Sequence, residues 1–127
     1  MSSIPKVLYL STRDELYRLD ISFIVYLEAD GNYTRIFMKN GLVVMLCTGL
    51  AKMNELIKAR IPADSYKFVR IGKKYIVNLA FFFSLNTLKQ KLVLSDQSSF
   101  SMTLDISKEA LKNLKDYLVL KNQNIEQ

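Results

Sequence analysis

The sequence predicts a mainly β fold: many short antiparallel strands, one inserted short helix and an amphipathic C-terminal helix. Three observations lead there. Apolar residues come in short runs rich in β-branched and aromatic side chains, each closed by a turn signal. Three- and four-residue apolar spacing appears in two stretches alone. The regular strand–helix alternation of a doubly wound parallel sheet is absent.

Val7–Leu10 reads as a first strand, Arg13-Asp14-Glu15 as a polar turn, and Leu16–Leu19 as a second strand. Ile21–Leu27 (ISFIVYL) suits a central strand because it is apolar and rich in β-branched and aromatic residues. It ends at Glu28-Ala29-Asp30-Gly31-Asn32, where Gly and Asn tolerate positive φ. Tyr33–Lys39 alternates, with Ile36 and Met38 on one face and Arg35, Phe37 and Lys39 on the other. Asn40-Gly41 reads as a two-residue hairpin turn, and Leu42–Leu46 returns.

Leu50, Met53, Leu56 and Ile57 then recur at helical spacing, opposite Lys52, Glu55 and Lys58, with Thr48 as a candidate cap and Pro62 beyond the end. Phe68–Ile71 and Tyr75–Asn78 are short strands around Gly-Lys-Lys, and Leu79–Leu85 continues as strand. Lys91–Leu94 and Phe100–Thr103 form a hairpin turning at Asp96-Gln97-Ser98. Ser107 caps a last helix whose stripe is Ile106, Ala110, Leu111, Leu114 and Leu118. Residues 121–127 are a polar tail, which leaves a single domain over residues 1–127 with its core at about 6–120.

At 127 residues and 50% hydrophobic, the chain can bury a real core. Its longest mostly apolar run, Tyr75–Leu85, is too short to span a bilayer and contains Asn78. The N-terminus has too short an apolar segment for a secretory signal, so a cytoplasmic location is expected. There is no histidine and one cysteine, which removes imidazole catalysis, Cys/His zinc sites and intrachain disulfides. Cys47, among apolar neighbours, reads as a packed side chain rather than a reactive thiol. The four glycines are scattered singly and build no phosphate loop. Glu28 and Asp30 would share a face on a strand but read as exposed turn charges. No enzyme, cofactor, metal, membrane or small-molecule substrate is expected.

Charge is more informative. Net charge is +6. Arg35 to Lys91 holds eleven Lys/Arg against two Asp/Glu, and the remainder seven against ten. A basic middle fits an anionic partner, nucleic acid or an anionic membrane surface, as well as a merely soluble basic face. Arg70, Lys73 and Lys74 cluster at one bend and Arg35 follows another. Two basic turns on one edge can track a phosphate backbone, and Arg or Lys can donate to guanine edges. Gly72 would let the main chain approach closely, and Asn32, Tyr33 and Thr34 add neutral polar groups. The competing account is that Lys-rich turns keep strand edges soluble. Ala80-Phe81-Phe82-Phe83 is no stacking platform, because successive strand residues face opposite ways; packing on both faces is expected.

Two motifs in order, YLEADGNYT (Tyr26–Thr34) and F-x-R-I-x-x-x-Y-I-V-N (Phe68–Asn78), with a short helix between, make the sequence resemble the LytTR family of bacterial DNA-binding domains from about Lys6 to Leu118. The resemblance implies an elongated antiparallel β domain that binds double-stranded DNA with loops in successive major grooves. It also implies a transcription regulator, here a stand-alone version without a receiver domain and without phosphorylation control in cis. A homodimer or tandem binding on DNA is left open. Carried onto this chain, the first loop is Tyr33-Thr34-Arg35, with Thr34 at a base-contacting and Arg35 at a phosphate-contacting position. The second is Arg70 to Lys74, with Gly72 where the family has His. The third is Met102-Thr103-Leu104, where the family's Ser-Arg is missing its arginine; Thr103 stays a candidate. One lost bidentate pair costs roughly 1–3 kcal/mol of discrimination. The alternative is a protein-interaction module derived from such a domain that has lost sequence-specific readout.

Overall fold

The computed structural model describes residues 6–64 and 66–121. They contain ten strands in three antiparallel sheets, and two helices. The chain divides into two compact units, one ending at Ala80 and the other beginning at Phe81.

In the first unit, β1 (Val7–Ser11) and β2 (Leu16–Asp20) form a hairpin. A five-stranded sheet follows, built from β3 (Ile24–Asp30), β4 (Tyr33–Met38), β5 (Val43–Leu46), β6 (Phe68–Ile71) and β7 (Tyr75–Asn78), in the order β5-β4-β3-β7-β6. Helix α1 (Leu50–Arg60) lies between β5 and β6 in sequence. The pleat sorts the side chains. Leu27, Ile36, Val44, Leu46 and Ile76 share one face and pack with Leu8, Leu10 and Leu19 of the hairpin and Leu50, Met53 and Ile57 of α1. Glu28, Arg35, Tyr75 and Met45 are direct cross-strand partners on the opposite face.

Local chemistry delays the start of one expected strand and interrupts another. Ile21–Phe23 is a 3-10 turn, not the start of the central strand. Asp20 stops β2 by accepting from both the Ser22 N–H (2.9 Å) and the Ser22 hydroxyl (2.6 Å). Leu79–Phe81 is likewise a 3-10 turn rather than strand. Buried Asn78 accepts from the Ala80 N–H at 3.0 Å and donates to the Ile24 carbonyl at 2.8 Å. Thr48 does not cap α1: the N-cap is Gly49, with no side-chain bond. The turn after β4 holds three residues rather than two, since the Met38 N–H donates to the Leu42 carbonyl at 2.9 Å.

The second unit is a three-stranded sheet, β8 (Phe82–Asn86), β9 (Lys91–Ser95) and β10 (Ser101–Asp105), in the order β10-β9-β8, followed by α2 (Lys108–Lys121). Leu92, Leu94, Leu104, Ile106, Leu111 and Leu114 are buried, and α2 packs on β8. The β9–β10 turn is fixed by Asp96, whose carboxylate accepts from the Ser98, Ser99 and Phe100 N–H groups. Those bonds, led by the Ser99 hydroxyl, hold its acid well below the usual carboxylate range. Ser107 accepts from the Ala110 N–H at 3.3 Å, as a cap does. Of the phenylalanine run, Phe81 is buried, edge-on to Phe100, while Phe83 is exposed, so the run does not pack on both faces.

Candidate nucleic-acid interface

Strand register brings two hairpin tips to one end of the five-stranded sheet. Asp30 pairs with Tyr33, leaving Gly31-Asn32 as a two-residue turn. Only Gly31, at φ +60°, uses the left-handed region there. Ile71 pairs with Tyr75, leaving Gly72-Lys73-Lys74 as the other tip. Glu28 pairs with Tyr75, and the Ala29 N–H donates to the Lys74 carbonyl at 2.8 Å, so the two tips lie side by side. Gly72 sits at φ +63°, where a side chain costs about 1–2 kcal/mol. That accounts for glycine at this position. The Arg70 Nη2 donates to the Lys73 carbonyl at 3.1 Å and braces the turn.

The cations at this end differ in freedom. Arg35 is in an ion pair with Asp30 at 2.7 Å, both side chains about half exposed. Lys74 reaches Glu28 at 3.5 Å and lies over the Tyr75 ring at 5.6 Å. Tyr75, then Glu28, hold its ammonium above the ordinary lysine value. Lys73 is exposed and has no ion-pair partner among the described residues. Beneath them Tyr26 stacks on Phe37, ring centroids 4.4 Å apart, and meets Tyr75 edge-on. Burial, with Glu28 and Tyr75 adding, pushes the Tyr26 phenol up to about 12.

Several expectations change. Thr34 is completely buried, and its hydroxyl donates to the Thr48 carbonyl at 2.7 Å, so its side chain offers no surface to a base. It positions instead, tying the start of β4 to the segment after β5. Glu28 and Asp30 are strand residues on one face and act as counterions to Lys74 and Arg35, not as loose turn charges. Alternation carried through to Asp30 would have shown it. Register sets Arg35 and Arg70 on opposite faces of the sheet, although at the same end. What they share is the rim where the tips emerge. Tyr33 is exposed on that rim. Cys47 is exposed, not packed. It follows β5, whose Leu46 pairs with Thr34, so it lies at the tip end too. Hairpin geometry alone could have placed it there.

In the second unit Thr103 is exposed on β10. Leu104 is 5% exposed and paired with Leu92, so the position assigned to a missing arginine is a core position here. No arginine occurs after Arg70.

The fold and this rim define a mainly β domain that carries two hairpin tips with cationic residues side by side at one end of a sheet. The family model for the LytTr DNA-binding domain matches residues 14–119, running through both units, and the chain belongs to that family. The family is one of DNA-binding domains, not of enzymes. Among solved structures, the LytTr DNA-binding domain of a Bacillus cereus protein is similar in fold at TM-score 0.62 and 21% identity, over 90% of this chain and 97% of that one. Comparison with curated proteins gives no match. No helix among the described residues is long and apolar enough to cross a membrane.

Proposed function

We propose that this chain binds double-stranded DNA sequence-specifically through its hairpin tips and acts as a bacterial transcription regulator. The observation that carries the reading is the main-chain bond from Ala29 to Lys74, which sets the Gly31-Asn32 and Gly72-Lys73-Lys74 tips together at one end of a rigid sheet. Lys73 meets phosphate directly. Lys74 and Arg35 do so by exchanging a carboxylate for a phosphate oxygen. Asn32 and Tyr33 supply neutral groups, and Gly72 keeps the turn low enough for close approach. Arg70 acts mainly through the turn it braces. Thr103 on β10 is the candidate in the third region.

Fluorescence anisotropy with duplex DNA across a salt series tests this. The Lys73→Ala, Lys74→Ala double variant is expected to bind every sequence more weakly and to lower the salt slope by at most about 2. Unchanged affinity and slope would remove this tip from the interface. Selection of duplexes from a random pool tests specificity, and an unenriched pool would refute sequence-specific readout.

A further inference from the structure

The outer strand β5 leaves its far side open. The Met38–Leu42 main-chain bond sets the phase of the β4–β5 ladder. By alternation Val44 and Leu46 turn their N–H and C=O groups to β4, and Val43 and Met45 turn theirs away. Among the described residues no other strand or main-chain bond takes up those outward groups. Val43 and Met45 are 52% and 45% exposed, and Leu42 beside them is 63% exposed. From Gly41 to Gly49 there is no charged residue, in a chain that is 24% charged. Open edges are ordinarily blunted by lysine, proline or a bulge. β6, at the other edge of the sheet, carries Arg70 between Lys67 and Lys73. β5 has none of these devices, and its register with β4 runs without a shift.

We propose that β5 pairs antiparallel with β5 of a second copy, about a two-fold axis at Met45, joining two five-stranded sheets into one. A second copy fits because the pairing is isologous: the outward N–H and C=O of Met45 meet their own equivalents. Self-pairing usually fails on opposed like charges. Here the strand has none, and Arg35, directly across from Met45 on β4, is already neutralised by Asp30. Met45 then faces Met45 of the second copy, and Val43 faces its Cys47, on the face Val43 shares with Phe37.

Sedimentation velocity on the chain without DNA, from about micromolar to about millimolar concentration, is the test, since a single joined edge gives modest affinity. A reversible monomer–dimer equilibrium is expected. Met45→Lys sets two ammonium groups at the axis and should weaken the dimer about ten-fold or more, whereas Met45→Gln should keep it. Met45 lies on the exposed face, so circular dichroism should show both variants folded. Hydrogen exchange gives a second readout: the Val43 and Met45 amides should gain protection as concentration rises. A monomer at every concentration overturns the proposal. So does a dimer that Met45→Lys leaves intact, or one whose Val43 and Met45 amides stay unprotected.

Discussion

At the scale of single residues, the proposed interface sets internal anions against an external one. Asp30 holds Arg35 at 2.7 Å in a half-exposed pair, which is weak in water and weaker in salt. On the proposed reading, a phosphate has to displace that carboxylate. Asp30→Asn is therefore expected to raise DNA affinity and steepen the salt slope by about 1, read by anisotropy at several salt concentrations. A flat response would mean that Arg35, even when freed from Asp30, does not reach the phosphate backbone. Leu104 is the opposite case. Restoring an arginine there would bury an unpaired cation beside Leu92 instead of rebuilding a base contact. Leu104→Arg should cost about 3 kcal/mol or more in a denaturant melt, with no gain in binding. Resemblance named three candidate regions, two of which lie in strands β4 and β10, but it could not tell which side of a strand each residue takes. Thr34 and Leu104 are both inward, and pairing register decides that, not identity.

At the scale of elements, most strands and both helices were legible because period and turn chemistry agreed. What was lost was lost to side chains that bond the main chain. Asp20 and Asn78 each end a strand by accepting from the N–H two residues on, just ahead of apolar residues that read as strand. Hydropathy sees Ile21-Ser22-Phe23 and Leu79-Ala80-Phe81 as strand; the preceding Asp and Asn turn them into 3-10 segments. Asn78 also donates across to Ile24, so it joins β7 to the start of β3. Asn78→Leu keeps the branching and the number of side-chain heavy atoms but strands the Ile24 carbonyl and the Ala80 N–H. A loss of at least about 2 kcal/mol is expected from denaturant midpoints. Cys47 misled for a different reason: apolar neighbours do not imply burial on an outer strand, where alternate residues Val43 and Met45 are themselves about half exposed, and Cys47 follows in the same phase.

At the scale of the whole molecule, charge and pH set the working range. The sequence has no histidine, the residue whose ordinary titration falls between pH 5 and 8. DNA affinity is expected to stay level from about pH 6 to 8 in the same titration. Alkali is different. Tyr26 ionises at about 12 when folded, against 10.0 ordinarily, so the unfolded chain loses that proton first. Its contribution to stability is full below 10.0 and falls as pH climbs toward 12; Tyr75 shifts the same way, also by burial. Urea melts across that window should show midpoints dropping. If β5 self-pairs, the two-fold axis stands normal to the sheet and sends the paired tips of each copy to opposite ends. Such a dimer would engage two separate stretches of DNA, not adjacent half-sites.

The bond between Ala29 and Lys74 gives the two tips a common root, like the tines of a fork. A tine cannot be bent without tilting its neighbour. Energies lost on altering one tip and then the other should therefore fail to sum, and the size of that shortfall would measure how stiff the root is.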